Sequence, residues 1–242
     1  MIHFDSFEGR TIAITGASRG IGRETAKWLG TLGANVALGA RTEDELDEIA
    51  TLVEQSGGHA LPMYLDVTDE QSVLQFRDAC VEQFGRVDGL VNSAGVGTFA
   101  PVLELSTDAF EEMLSVNVKG TFLCAKYFAQ QMVQQRSGHI VNISSIAGTV
   151  ALPGGGGYSA SKFGVIGLSR VLQVELRRSG VQVTSVLPGA VNSSFWDSLQ
   201  DKPDMASMIP LSTLARHIIY LLSEQEGAFV DEVTIMPPFG IL

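Results

Sequence analysis

The run Thr11-Ile12-Ala13-Ile14-Thr15-Gly16-Ala17-Ser18-Arg19-Gly20-Ile21-Gly22 decides the fold of this chain. Its first five residues are apolar or β-branched and read as a buried strand; the glycines then open an amphipathic stretch, Gly20 to Leu32, that reads as a helix. A strand running straight into a glycine turn and a helix N-terminus builds a site for an anion. Gly16 permits the tight turn, Gly20 lets backbone approach a pyrophosphate, Gly22 allows close helix-strand packing, and the first-turn N–H groups face the charge. The spacing is GxxxGxG, not the more general GxGxxG, and taken alone it also suits an ordinary glycine-rich turn.

The same alternation runs to the end of the chain. Strands are expected at Thr11 to Thr15, Asn35 to Ala40, Leu61 to Val67, Gly89 to Asn92, His139 to Ser144, Gln182 to Leu187 and Glu232 to Met236. Helices are expected at Gly20 to Leu32, Glu43 to Gln55, Asp69 to Phe84, Thr107 to Gln135, Tyr158 to Arg178 and Leu211 to Leu222, several with acidic or hydroxyl N-terminal residues. Strict βα alternation with continuous apolar strands predicts an α/β fold: a Rossmann-type, doubly wound parallel sheet of about seven strands with helices on both faces. No repeat, low-complexity tail or linker divides the chain, so residues 1–242 are expected to form a single domain. Two stretches interrupt the pattern, Val150 to Gly157 and Gly189 to Pro210. Both follow strands, and the ligand crevice of an open parallel sheet lies at the strand carboxyl ends, so both are expected to wall it.

Composition narrows the function. The 242 residues, 45% hydrophobic and 18% charged, suffice for a core without disulfide or metal support. A formal net charge of −11 with no Lys/Arg cluster argues against a nucleic-acid surface. Cys80 and Cys124 fall in helical patterns without metal-ligand spacing, which predicts reduced thiols, no disulfide and no metal. No apolar run reaches the length of a membrane span, and the opening MIHFDSFEGR lacks the basic start of a secretory leader; a cytoplasmic location is expected.

Candidate chemistry lies further along. In Tyr158-Ser159-Ala160-Ser161-Lys162 the phenol and the ammonium share one helix face, where a cation stabilises a phenolate; free tyrosine, with a pKa of about 10, is otherwise a poor base. Ser144-Ser145 closes the preceding strand, and Asn117 lies in the long helix before it, where a helix-bending or capping polar residue is the plainer reading. The second strand ends at Ala40, where a NAD-binding unit would place a carboxylate for the ribose 2′-OH. Arg41 follows, and Arg19 sits in the glycine loop; two guanidiniums suit a 2′-phosphate, while solvation or pairing with Glu43 to Glu45 is the plainer fate of Arg41.

With these residues in order, the chain resembles the short-chain dehydrogenase/reductase family. The matching motifs are TGASRGIG at 15–22, Asp66 in LDVTD, NSAG at 92–95, Asn117 in SVNVKG, Ser145 in NISS, YSASK at 158–162 and Pro188-Gly189. The resemblance implies that Tyr158 is the general acid or base, that Ser145 hydrogen-bonds the substrate oxygen, that Lys162 holds the nicotinamide ribose and lowers the tyrosine's pKa, and that Asn117 anchors a water serving Lys162. Ser144 then points elsewhere along the alternating strand. The implied cofactor-binding residues are Gly16, Ser18, Arg19, Gly20, Ile21 and Gly22 in the loop, Arg41, Asp66 and Val67 at the adenosine, Asn92, Ala94 and Gly95 at the fourth strand's end, Tyr158 and Lys162, and Pro188, Gly189 and Val191 at the carboxamide. Ser193 stands where the family often has threonine. Ser93 departs from the commoner NNAG, and the ending VDEVTIMPPFGIL departs from the family's glycine-rich C-terminus.

The function this implies is an NADPH-dependent oxidoreductase that reduces a ketone or aldehyde to an alcohol by hydride transfer, with NADP(H) preferred over NAD(H). Substrate contacts are expected from Ser145, Tyr158 and Trp196. Around Trp196, the residues Phe195, Met205 and Met208 of the 189–210 loop suit either a lid over a hydrophobic or aromatic carbonyl compound or a subunit contact. The glycines at 154–157 suggest a roomy pocket or a flexible rim. A 3-oxoacyl thioester on an acidic carrier protein is a specific case, with Arg136, Arg170, Arg177 and Arg178 as a docking patch, although a helix C-terminus also favours such arginines. The resemblance further implies a homotetramer or dimer built from helices 107–135 and 158–178. Their apolar residues Phe122, Cys124, Phe128, Leu168 and Leu172 are equally explained by core packing. Other readings are an NAD-dependent alcohol dehydrogenase and a non-catalytic dinucleotide-sensing module; the complete Ser145, Tyr158 and Lys162 set disfavours the sensor.

Overall fold

The computed structural model describes residues 6–197, 204–224 and 228–241. Residues 198–203 of the expected substrate loop lie outside the described residues. Along the chain run β1 (Thr11–Thr15), α1 (Gly20–Thr31), β2 (Asn35–Ala40), α2 (Glu43–Gln55), β3 (His59–Tyr64), α3 (Glu70–Phe84), β4 (Gly89–Asn92), α4 (Thr107–Met113), α5 (Thr121–Gln135), β5 (Gly138–Ile143), α6 (Gly156–Leu176), β6 (Val181–Pro188), β7 (Val191–Asn192), β8 (Ile209–Pro210), α7 (Leu211–Ser223) and β9 (Glu232–Ile235).

Seven strands form one parallel sheet in the order β3-β2-β1-β4-β5-β6-β9. The strand order reverses between β1 and β4, which opens a crevice at their carboxyl ends. Side chains alternate across each strand, so Ile12, Ile14, Val36 and Leu38 meet α1, α2 and α7 on one face, while Ala13, Ala37 and Leu90 meet α3 and α5 on the other. Both faces are covered, which explains the unbroken apolar reading of the strands.

The expected elements recur with instructive differences. The third strand ends at Tyr64 instead of Val67, because Asp66 Oδ1 accepts from the Thr68 N–H at 2.9 Å and its hydroxyl at 2.8 Å and turns the chain. Pro62 is tolerated because β3 is an edge strand. The single helix expected over Thr107 to Gln135 is broken by a π-helical turn, Leu114–Gly120. Two interactions hold that turn: the Thr121 hydroxyl donates to Asn117 O at 2.7 Å, and the Asn117 side chain is committed outside the helix.

Of the glycines at 154–157, Gly156 and Gly157 do not line open space. A Cβ on Gly156 would lie 2.5 Å from Val102 Cγ2, and one on Gly157 would lie 2.5 Å from Met113 Cε. They let the start of α6 press against the 100–105 segment, which Ala100 joins by donating to Gly154 O at 2.8 Å. In the 189–210 stretch, β7 pairs with β8, and Met208 and Ile209 are buried. The long helices are also less apolar outside than the sequence suggests: Cys124 and Phe128 are wholly buried, leaving Phe122, Val133, Phe163, Val171 and Val174 as the exposed large apolar residues of α5 and α6.

Candidate active site

The sheet crevice opens into a cavity of about 440 Å³. Its floor is built by close backbone contacts. Gly16 has φ +66° and a Cβ there would lie 2.8 Å from the Ala94 backbone; Gly20 has φ +57°. A Cβ on Gly22 would come within 2.4 Å of Gly16 O, so this glycine seats α1 on its own loop. Thr15 Oγ1 accepts the Ser93 and Ala94 N–H groups at 3.1 Å each and ties the end of β1 to the end of β4. No side chain caps the start of α1, so its first-turn donors remain available to an anion at the loop. The set of groups fits a dinucleotide: a glycine cradle under a helix N-terminus, with Asp66 and Val67 on one flank and Pro188, Gly189 and Val191 on the other.

Charge is concentrated at the β2 end, where Ser18, Arg19, Arg41, Thr42 and Glu45 line the cavity. Among the described residues no ion pair joins Arg41 to Glu43, Asp44 or Glu45. Glu45 instead accepts from the Thr42 hydroxyl at 2.8 Å. That bond, the Ser18 hydroxyl nearby and the Arg19 and Arg23 charges outweigh burial and hold its carboxyl below the ordinary range. Burial would raise Asp66, but the Thr68 donors and the Arg41 and Lys119 charges together hold it low.

At the β5 end, Ser145 and Tyr158 line the cavity together. Ser145 Oγ accepts from Ala147 N at 3.1 Å, which fixes its rotamer, and Ser144 Oγ turns away to Lys162 O at 3.1 Å. Burial pushes the Tyr158 phenol up to about 12, with the Ser145 hydroxyl nearby pulling the other way. The expected lowering by Lys162 is absent: the ammonium donates to Ile143 O at 3.0 Å, lies 5.6 Å from the Tyr158 ring centroid, and is itself brought down to about 8 by burial. Asn117 is buried behind the cavity. Its Oδ1 accepts from Val96 N and its Nδ2 donates to Val96 O and Ser161 Oγ, each at 2.9 Å. Phe99 and Phe195 pack on the Tyr158 ring with centroids 5.4 and 5.6 Å away, and Trp196 stacks on Phe99 at 5.9 Å, its indole N–H held by Val191 O at 2.8 Å.

Comparison with known proteins agrees with this geometry. The model of the short chain dehydrogenase family matches residues 10–204. The chain belongs to the short-chain dehydrogenase family. It is 32% identical to a 3-oxoacyl-[acyl-carrier-protein] reductase of Thermotoga maritima, over 92% of this chain and 94% of the relative. Among solved structures it superposes on an alcohol dehydrogenase of the archaeon Thermococcus sibiricus complexed with 5-hydroxy-NADP, with a TM-score of 0.86, 33% identity and coverage of 93% and 95%. It also superposes on an NAD+-bound xylitol dehydrogenase, with a TM-score of 0.87, 27% identity and coverage of 95% and 98%.

In this short-chain dehydrogenase most residues singled out by motif line one cavity: Gly16, Ser18, Arg19, Gly20, Ile21, Arg41, Asp66, Val67, Ala94, Gly95, Ser145, Tyr158, Lys162, Pro188, Gly189, Val191 and Trp196. Gly22, Asn92 and Asn117 do not. They stand behind the lining, Asn92 by donating to Asn142 Oδ1 at 2.8 Å, and support it. Met205 and Met208 are not part of the lining, and Met208 is buried in the fold. Of the arginines considered for docking, Arg170 pairs with Glu232 at 3.1 Å and Arg177 with Asp231 at 2.5 Å, which weakens a basic patch.

Phe99, Thr42, Glu45 and Ile241 line the cavity without having been singled out. The first three follow strands β4 and β2 at their carboxyl ends, a positional signal the sequence carried; Ile241 had none. Among the described residues no helix is long and apolar enough to cross a membrane, and no cluster of three or more His, Cys, Asp or Glu is placed to hold a metal.

Proposed function

We propose that this short-chain dehydrogenase is an NADPH-dependent reductase of ketones or aldehydes in which Tyr158 donates the proton. The observation that carries the reading is the meeting of Ser145, Tyr158 and Lys162 in one cavity wall, where burial holds the phenol protonated well above neutral pH. A group in that state serves as an acid. As negative charge develops on a substrate oxygen, Ser145 holds that oxygen by hydrogen bonding and Tyr158 gives it a proton, help worth ~10² to 10⁴ in rate. A nicotinamide bound in the cavity supplies the hydride. Lys162 and Tyr158 lie beside the nucleotide cleft, while Gly16 to Gly22, Asp66, Val67, Asn92, Ala94, Gly95, Pro188, Gly189 and Val191 form or support its walls.

The preference for NADP(H) over NAD(H) is supported by Ala40 in place of a carboxylate, with Arg19 and Arg41 in the lining. The NADP analogue in the Thermococcus sibiricus neighbour is consistent with it; the NAD+ in the xylitol dehydrogenase neighbour keeps NAD-dependent alcohol oxidation as the second reading. Phe99, Phe195 and Trp196 around Tyr158 favour a hydrophobic or aromatic carbonyl compound, with the 189–210 stretch as the substrate loop of a single domain. The exposed Phe122, Phe163, Val171 and Val174 favour a second copy of this chain as the partner of α5 and α6, giving a dimer or tetramer. The unpaired thiols of Cys80 and Cys124 suit a cytoplasmic enzyme.

The test is NADPH consumption by the purified protein across aromatic ketones, aldehydes, diketones, sugars, steroids and 3-oxoacyl thioesters, with Tyr158→Phe as the blank. Turnover that depends on Tyr158 supports the reductase. Turnover retained in the variant overturns the assignment.

A further inference from the structure

The sequence Thr42-Glu43-Asp44-Glu45 has the spacing of a capping box, in which the threonine oxygen accepts from the third helical residue and the glutamate returns to the threonine N–H. The structure does not form it. Thr42 makes no side-chain cap, and its hydroxyl donates to Glu45 Oε2 at 2.8 Å. Glu45 has therefore left its helical role and sits in the cavity wall with Ser18, Arg19 and Arg41.

We propose that Glu45 is a second cofactor selector, one that acts against the 2′-phosphate by occupying the Thr42 hydroxyl and setting a carboxylate in the cavity wall that Arg19 and Arg41 also line. The inference rests on the reading that Arg19 and Arg41 receive that phosphate. A phosphate monoester carries about −1.5 to −2 charges and is repelled by a neighbouring carboxylate, while it also needs the donor that Glu45 holds. An unphosphorylated ribose is neutral at this position, and its hydroxyl can donate to a carboxylate, as in NAD-binding units. Glu45 thus raises the dissociation constant for NADPH selectively and brings the two cofactors closer in affinity than Ala40, Arg19 and Arg41 alone would.

The test is a fluorescence titration of wild type, Glu45→Gln and Glu45→Lys with NADPH and NADH, repeated by calorimetry with adenosine 2′,5′-bisphosphate and 5′-AMP to isolate the ribose end. Glutamine keeps the size and removes the charge. Glu45→Gln is expected to tighten NADPH by about tenfold and to raise the NADPH:NADH affinity ratio by a similar factor, with lysine going further. An unchanged or weaker NADPH affinity in Glu45→Gln, or equal shifts for both cofactors, overturns the inference. Arg41→Ala is titrated in parallel and reports on the other reading: if it leaves NADPH affinity intact, the phosphate assignment of Arg41 fails, whatever Glu45 does.

Discussion

Asn117 and Ser161 are joined beneath the cavity by a buried hydrogen bond, Nδ2 to Oγ at 2.9 Å. Ser161 in turn donates to Tyr158 O at 2.7 Å, and Asn117 accepts from the backbone N–H and donates to the backbone C=O of Val96. One side chain thereby ties the π-helical turn to the segment after β4 and to the helix that carries Tyr158 and Lys162.

Asn117→Leu is expected to leave the Val96 N–H and C=O unpaired in a buried place. The loss is expected to be about 2–4 kcal/mol in urea unfolding, together with lower turnover because α6 loses its tie. Stability equal to wild type would show that the asparagine is not the tie.

Tyr158→Phe is expected to lower carbonyl reduction by ~10² to 10⁴ while leaving NADPH affinity nearly intact. Because burial holds the phenol up near 12, it stays protonated through neutral and mildly alkaline pH. Tyr158 therefore adds no acidic or neutral limb to the profile of the reduction, whereas the reverse oxidation, which needs the phenolate, rises with pH. A reduction rate that falls with a tyrosine-dependent pKa near neutrality would contradict the burial of this group.

Burial brings Lys162 from 10.5 to about 8, so between those values the unfolded chain binds more protons than the folded one. Wild type should accordingly gain stability as pH rises from about 8 to about 10.5, and the buried ammonium should be destabilising below about 8. Lys162→Met is expected to remove this gain, and to unfold at higher urea than wild type near neutral pH while losing turnover. Parallel pH–stability curves for the two proteins would count against a depressed lysine.

Arg41→Asp is expected to weaken NADPH far more than NADH, about a hundredfold against a few-fold, because it removes a guanidinium and adds a like charge at the phosphate. Equal losses in a titration would show that Arg41 does not read the phosphate.

A Cβ on Gly97 would lie 2.5 Å from Phe195 Cζ and 3.1 Å from Tyr158 Cδ2. Gly97→Ala must displace the phenylalanine ring, and it is expected to raise KM for an aromatic carbonyl substrate by about tenfold with little change in NADPH affinity. An unchanged KM would place the substrate away from Phe195.

Order along the chain made the sheet legible. Continuous apolar runs separated by amphipathic stretches describe local burial, and the glycine loop, Ser145, Tyr158 and Lys162 stand at strand ends and helix starts that this pattern located. What escaped depends on contacts between distant segments. The break in the helix at Leu114–Gly120 arises because Asn117 is bonded to Val96 and Ser161, and no window of local sequence contains those partners. The glycines at 154–157 looked like spare room because the side chains that fill it, Val102 and Met113, come from elsewhere in the chain.

The amino-acid sequence by itself thus determined the parallel α/β sheet, through its hydrophobic pattern, and, through its resemblance to a known family, most of the residues that meet in the crevice. Only the tertiary structure decided the state of those residues. Burial raises Tyr158, Ile143 O takes the ammonium of Lys162, and Glu45 accepts from the Thr42 hydroxyl in the cavity wall instead of completing a capping box. Protonation and hydrogen-bond partners are set by local dielectric and three-dimensional proximity, quantities that residue order specifies only through the completed fold.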